Sequence, residues 1–228
     1  MRLLQFAMMV AMLVSTTAQA ATIFIDTGHS AARSGAIAQD GTTEHSLNRA
    51  VALAVISELR KHGHAVRDVE AEGFNRTLAS RVLDTEQADA FVSIHHDSIQ
   101  QVFLDQGRAG EFAGHSVFVS GQARDLDGSL RCAIELGQAM LAAGSRPSHY
   151  HAAQIPGEGR PLLDAARGIH RYDGLAVLRH ARAPAVLLEV GVMVNPRELA
   201  TLRDPRWIGA AATQIARGIE LCVTPDPA

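Results

Sequence analysis

Three side chains that could do chemistry each follow an apolar segment typical of a buried strand: His29, His95 and Glu189. If these strands run parallel, their carboxyl ends meet at one edge of the sheet, where open α/β sheets place their sites. Glu189 is the most informative of the three, because an ionised carboxylate at the end of such a strand needs a partner or a shifted pKa. We therefore expect the three side chains to lie close together.

A fourth group, Glu44, precedes the first long predicted helix and is reached from His29 through a glycine-punctuated loop. Two imidazoles and one carboxylate with an open fourth position are a ligand set of catalytic zinc sites. The second glutamate would then accept a proton from metal-activated water. Taken singly, His29 and His95 also fit loop or capping roles, and Glu44 fits a first-turn acid facing the helix dipole. The four together favour a metal site.

The elements that must position these groups follow from the apolar pattern. Predicted strands cover residues 22–26, 65–69, 90–94, 115–120 and 185–190, and predicted helices cover residues 46–62, 75–87, 128–143 and 205–222. This alternation predicts a single α/β domain with a twisted, mostly parallel sheet and helices on both faces. Residues 98–114 and 144–175 show no regular pattern, and long loops of this kind usually line a functional surface.

Composition narrows the classes of function. The chain has 228 residues, of which 47% are apolar and 20% charged, as in a globular protein with a core. Its 21 basic and 24 acidic residues give a net charge of −3, so no basic surplus points to a nucleic-acid partner. Two cysteines are too few for a cysteine-rich metal site, whereas 11 histidines supply imidazole ligands.

The first twenty residues have the pattern of a secretory signal peptide. Arg2 is followed by an apolar run and then by A-Q-A at residues 18–20, the small residues that precede a cleavage site. The predicted mature domain is residues 21–228, and it contains no apolar run long enough to span a membrane. Export would permit a disulfide between Cys132 and Cys222, although free buried cysteines would be equally ordinary in these helices.

Several motifs along the chain point to a known family. They are D-T-G-H-S at residues 26–30, G-A at 35–36 followed by Glu44 and Asn48, S-I-H-H-D at 93–97, V-L-R at 177–179, P-A-V-L-L-E-V-G at 184–191 and N-P-R-E at 195–198. In order and spacing the chain resembles the zinc-dependent N-acetylmuramoyl-L-alanine amidases of the Amidase_3 family from about residue 22 to residue 219.

The resemblance implies a cell-wall hydrolase. Its substrate would be peptidoglycan or muropeptides, cut at the amide between N-acetylmuramic acid and L-alanine. One Zn²⁺ ion would be held by His29, Glu44 and His95, and Glu189 would be the catalytic glutamate. The location implied is outside the cytoplasm, most readily the periplasm, and an activator protein is a further partner that the family allows.

Arg171 and Arg179 lie near the segment that faces substrate in the family, and they could pair with stem-peptide carboxylates. Solvated surface arginines are an equally good interpretation. His149 and His151, in a proline-flanked loop, are expected at the surface.

The chain departs from the family pattern at three places. Thr27 stands where the family has Pro and Ser30 where it has Gly, which could alter the turn that presents His29. His96 follows His95, and strand alternation lets only one of them face a metal. The motif favours His95.

Two other functions fit part of the pattern. One is a zinc carboxypeptidase or endopeptidase acting on the peptide stem, but no H-x-x-E or H-E-x-x-H pair follows a predicted strand. The other is a non-catalytic wall-binding relative, which would lack a ligand or Glu189. Neither is missing here.

Overall fold

One mixed sheet of seven strands organises the molecule in the computed structural model, which describes residues 20–73 and 77–224. The strands are β1 (Thr22–Thr27), β2 (Ala65–Asp68), β3 (Ala90–Asp97), β4 (Ser116–Val119), β5 (Leu162–Asp164), β6 (Ile169–Arg171) and β7 (Ala185–Val192). The helices are α1 (Glu44–Lys61), α2 (Leu78–Arg81), α3 (Gln101–Asp105), α4 (Leu126–Ala142), α5 (Ala176–His180), α6 (Pro196–Leu202) and α7 (Pro205–Val223). Apart from Ala20, the predicted signal peptide lies outside the described residues.

The spatial order of the strands is β2-β1-β3-β7-β4-β6-β5. The β2, β1, β3 and β7 strands all run parallel, and β4 and β6 are parallel to each other. The β4–β7 and β5–β6 pairs are antiparallel. The predicted α/β domain with a mostly parallel sheet is therefore confirmed.

Helices cover both faces of the sheet, as predicted, but unequally. The long helices α1, α4 and α7 pack on one face, where Leu47, Val51, Val55 and Leu59 of α1 are at most 5% exposed. The shorter α5 packs on the other face against Phe91 and neighbouring apolar residues of the sheet. Within residues 20–73 and 77–224, no helix is both long and apolar enough to cross a membrane.

The predicted helix over residues 75–87 is wrong. The described part of this segment contains only the single turn α2 and a short 3-10 turn, Thr85–Gln87. Between them Asp84 has a φ of 60°, a left-handed conformation that interrupts an α-helix. The apolar spacing is compatible with a helix, but it contains no signal for this break.

The two segments without a predicted pattern are largely irregular and pack on each other. Phe103 and Phe112 from the first segment contact Tyr150 from the second, with ring centroids 5.1–6.4 Å apart. Asn195 caps α6 and also donates to the Phe112 carbonyl at 2.7 Å, while Glu198 accepts from the Gly114 amide at 2.9 Å. The N-P-R-E motif therefore fastens the first segment to the end of β7.

Cys132 and Cys222, whose pairing the sequence leaves open, form a disulfide between α4 and α7. Both residues belong to the core beneath the long helices. The bond therefore links two helices on the same face of the sheet.

Candidate metal centre

The carboxyl ends of three parallel strands bring the predicted groups to one edge of the sheet. His29 lies two residues beyond β1, and His95 is paired in register with Glu189 on β7. β3 extends past its predicted end, so His95 lies inside the strand rather than after it, and Glu189 lies inside β7, within its predicted range. Paired residues on adjacent strands share a face, and His95 and Glu189 are therefore neighbours.

His29, Glu44 and His95 form a compact group of ligand atoms. The Nε2 atom of His29 lies 3.0 Å from Oε2 of Glu44, and Nδ1 of His95 lies 2.9 Å from Oε1. One ligand atom from each residue can be chosen so that all three lie within 4.8 Å of one another. The two imidazole rings meet edge to face with centroids 5.1 Å apart.

The start of α1 fixes the carboxylate of Glu44. Glu44 is the first residue of α1, which Thr43 caps by accepting from the Ser46 amide. Its Oε2 accepts from the Ala36 amide at 3.1 Å, and its Oε1 accepts from Asn48 Nδ2 at 3.4 Å. Burial alone would raise the pKa of Glu44, but hydrogen bonds from the two histidines outweigh it and lower the pKa below its usual value. The group is therefore an ionised acceptor.

Two glycines leave room for this group. A Cβ on Gly28 would lie 2.4 Å from His95 Nε2, and a Cβ on Gly35 would lie 2.4 Å from Glu44 Oε2 and 2.7 Å from the His29 ring. Gly35 also has a φ of +74°, which other residues rarely adopt. The glycines flanking the loop thus form a cradle that a larger residue would fill.

Glu189 is a carboxylate with an unsatisfied oxygen. Its Oε2 atom is buried and has no hydrogen-bond partner among the described residues. Ser116, opposite Glu189 on β4, has a buried hydroxyl that is likewise unpartnered within residues 20–73 and 77–224. Burial and the nearby carboxylates of Asp97 and Glu44 raise the pKa of Glu189 well above its usual value. A strongly shifted carboxyl group beside a metal-type cluster is typical of acid–base catalysis.

Strand alternation separates His95 from His96 as expected. His96 points to the opposite face, where its Nδ1 bonds with Asn48 Oδ1 at 2.8 Å beneath α1. Burial lowers the pKa of His96 to about 3. His96 is therefore a neutral core residue, while His95 faces Glu44.

A cleft of about 690 Å³ opens beside the cluster and is lined by His29, His95 and residues 174–177. Arg171 and Arg179 flank that last segment without lining the cleft. Arg171 pairs with the Asp173 carboxylate at 2.6 Å, and Arg179 donates to the Asp173 carbonyl at 3.2 Å. Both arginines therefore contact Asp173, and neither is among the residues that line the cleft.

Sequence reasoning missed one buried network at this edge. The prediction that His151 lies at the surface is wrong, because its side chain is only 13% exposed. Its ring nitrogens lie 2.7 Å from Asp97 Oδ2 and 3.0 Å from Glu158 Oε2, and its ring packs on Phe118. The aspartate that ends S-I-H-H-D was the available signal for a partner, but only the fold shows which histidine it meets. His149 is exposed, as expected.

The donor set fits zinc chemically. Two imidazole nitrogens and a carboxylate oxygen are the ligands of one class of catalytic zinc site, which keeps a further position open. Here the Gly28 and Gly35 cradle leaves the three side chains facing one another, and Glu189 adds a fourth group that is not needed as a ligand.

Comparison with known proteins identifies the family. The N-acetylmuramoyl-L-alanine amidase family model, Amidase_3, matches residues 23–221. The chain is 27% identical to the uncharacterized protein YqiI of Bacillus subtilis over 87% of this chain and 83% of that protein. It is 26% identical to the N-acetylmuramoyl-L-alanine amidase AmiC of Neisseria meningitidis, over 87% of this chain but only 51% of AmiC, so it spans about half of that relative.

Solved structures agree with this family. The catalytic domain of CwlV, an amidase of Bacillus (Paenibacillus) polymyxa var. colistinus, matches with a TM-score of 0.67 and 29% identity over 87% of this chain and 96% of that domain. The fold and the sequence thus define an α/β peptidoglycan hydrolase. The chain belongs to the N-acetylmuramoyl-L-alanine amidase family, as its motifs predict.

Proposed function

We propose that the chain hydrolyses the amide between N-acetylmuramic acid and L-alanine of peptidoglycan with one zinc ion held by His29, Glu44 and His95. The observation that carries this proposal is the set of three ligand atoms within 4.8 Å, with Glu189 paired beside His95. Family membership supplies the substrate class. Bound zinc supplies Lewis-acid chemistry, lowering the pKa of a water molecule and polarising a carbonyl.

Glu189 is the proposed catalytic residue. Its carboxylate takes a proton from the attacking water and delivers it to the nitrogen of the departing L-alanine. The raised pKa suits this transfer, because a carboxyl group of ordinary pKa is a weaker base and holds the proton less readily. The unpartnered Oε2 provides an acceptor that no side chain within the described ranges competes for.

The rim of the cleft is the proposed place for the peptide stem. Arg171 and Arg179 flank the lining segment 174–177 in sequence, and their guanidinium groups are the proposed partners of stem carboxylates. Both arginines also contact Asp173. If they bind substrate, removing either positive charge should raise KM more than it lowers kcat.

The place of action follows from the substrate, which lies outside the cytoplasm. We propose that residues 1–20 are removed on export and that the periplasm is the compartment. The disulfide between Cys132 and Cys222 supports an oxidising location. An amino-terminal sequence beginning at Ala21 in the exported protein would test the cleavage. An activator protein stays a prediction.

The test of the reaction uses purified sacculi and the exported, zinc-loaded protein. We expect soluble peptides that carry new L-alanine amino termini, and we expect their release to stop when zinc is removed by a chelator and to resume when it is restored. New termini at other stem residues would show a peptidase instead. Binding to sacculi without release of peptides would show a non-catalytic wall-binding protein. Either result would overturn the proposed reaction.

A further inference from the structure

A buried arginine holds the turn that presents His29. Arg81, on α2, is 6% exposed and directs its guanidinium at residues 26–29. Its Nη1 donates to Asp26 Oδ1 and to the Thr27 carbonyl, each at 2.6 Å. Its Nη2 donates to the carbonyl of His29 itself. One side chain thus contacts three residues of a four-residue turn.

This turn needs external support. His29 has a φ of 65°, in the left-handed region that non-glycine residues rarely adopt. Such conformations persist only where surrounding contacts hold them. Thr27 stands where the family has a proline, and it lacks the pyrrolidine ring that would restrict the backbone at this position. Hydrogen bonds to the Thr27 and His29 carbonyls restrict the same peptide units from outside.

The same contacts connect the turn to the strand that carries His95. Asp26 Oδ2 accepts from Ser93 Oγ on β3 at 2.7 Å, and the Gly28 amide donates to the Ile94 carbonyl at 2.9 Å. Arg81 on one side and β3 on the other therefore fix the position of His29 relative to His95. Both imidazoles must face Glu44 at once to form the three-ligand group.

We propose that Arg81 is a positioning residue for the zinc site and that its guanidinium orients the His29 imidazole by holding the Thr27 and His29 carbonyls. The inference rests on the proposed zinc function. Lysine cannot replace the arginine, because a single ammonium lacks the planar fork that reaches these acceptors together. Arg81 does not touch the reacting atoms in this scheme.

The first experiment measures zinc affinity of Arg81→Lys by competition with a chromophoric chelator. We expect zinc binding about 10- to 100-fold weaker than in the wild type, the usual effect of losing a residue that orients a metal ligand. Thermal unfolding of the metal-free protein gives the separate effect on stability. Arg203→Lys is the matched control, because Arg203 pairs with Asp40 in an exposed ion pair and no contact with His29, Glu44 or His95 is recorded within the described residues. This control should bind zinc as the wild type does.

A second pair of variants applies if Arg81→Lys does not fold. Asp26→Asn keeps the arginine, whereas Asp26→Asn combined with Arg81→Gln removes the arginine without leaving a buried aspartate charge unpaired. We expect the double variant to bind zinc at least 10-fold more weakly than Asp26→Asn alone. Equal affinities in this pair, or wild-type affinity in folded Arg81→Lys, would overturn the inference. Wild-type protein that binds no zinc, or binds it unchanged after His29→Ala, would instead refute the proposed metal site.

Discussion

At the residue scale, both carboxylate oxygens of Glu44 make contacts in the proposed zinc site. Its two oxygens face different histidines, and each oxygen also accepts from a neighbouring amide, of Ala36 or of Asn48. Metal ligands are commonly oriented by such outer contacts, and these contacts set how well the site is preorganised. Glu189 differs because its Oε2 has no hydrogen-bond partner in the described part of the chain. The two glutamates therefore suit different roles, one fixed and one available.

Substitution of Glu189 and of His95, each in a separate variant, should distinguish the loss of turnover from the loss of zinc binding. Glu189→Gln should keep zinc at the wild-type level and lose at least about 100-fold in kcat, because an amide cannot accept the proton. His95→Ala should lose zinc, because it removes a proposed ligand. Metal content by mass spectrometry and peptide release from sacculi check both. Loss of zinc in Glu189→Gln to the same extent as in His95→Ala would make Glu189 a ligand.

Gly35 offers a test of the space around the ligands. Gly35→Ala should weaken zinc binding, because its Cβ would lie 2.4 Å from Glu44 Oε2. It should also lower the free energy of unfolding by about 1–2 kcal/mol from the positive φ. Gly41→Ala is the control, since Gly41 has a φ of +87° with no atom within 4 Å of the added Cβ. Chelator competition should show a loss of affinity in Gly35→Ala alone; equal affinities would contradict the steric argument.

At the scale of elements, the apolar pattern of the sequence predicts five of the strands and the three long helices. Continuous apolar runs located five strands, and helical spacing located α1, α4 and α7 within two residues at each end. The short strands β5 and β6 were missed because three residues carry no periodicity. The grouping of His29, Glu44 and His95 was predictable because these residues belong to motifs at strand ends and at the start of the first long helix. Arg81 and the partners of His151 were not, because their contacts join segments far apart in sequence.

His115 connects β4 to the long irregular segment and predicts a pH dependence of stability. Its Nε2–H donates to the Arg167 carbonyl at 3.2 Å, and its Nδ1 accepts from Ser145 at 3.0 Å, so the neutral ring is satisfied. Burial lowers the pKa of His115 to about 4, against about 6.5 in the unfolded chain. Below about pH 6.5 the unfolded state therefore binds a proton that the folded state does not, and stability falls as the pH drops towards 4.

Replacing this ring should reduce that acid sensitivity. Between pH 7 and pH 4, His115→Gln should lose up to about 3 kcal/mol less stability than the wild type, because its amide can donate to the same carbonyl without titrating. Urea unfolding of metal-free protein at several pH values measures the effect without a contribution from zinc release at low pH. The control is exposed His149→Gln. An unchanged pH slope in His115→Gln would show that other groups cause the acid sensitivity.

At the scale of the whole molecule, the disulfide joins α4 and α7, neither of which carries a proposed zinc ligand. Cys132 and Cys222 are 90 residues apart and tie α4 to α7 on the face with the long helices. Closing a loop of this length restricts the unfolded chain and typically contributes about 2–5 kcal/mol. The proposed zinc ligands lie just beyond β1, at the start of α1 and in β3. Stability and metal binding should therefore respond separately to loss of the bond.

Removal of both cysteines tests this separation. The double variant Cys132→Ala and Cys222→Ala should unfold with a free energy about 2–5 kcal/mol lower and bind zinc as the wild type does. Denaturant unfolding and chelator competition measure the two quantities, with reduced wild-type protein for comparison. Unfolding at the same denaturant concentration as the oxidised wild type would show that the bond adds no stability.

The position of β7 determines the stage of folding at which the amidase site is completed. β7 is the last strand in sequence, yet it lies between β3 and β4 and carries Glu189. The two halves of the sheet have no common border until this strand inserts, and such long-range pairing forms late. A chain folded as far as β3 would thus have the three proposed zinc ligands while still lacking Glu189, the proposed proton acceptor. Peptidoglycan hydrolysis would then begin only after the sheet is complete.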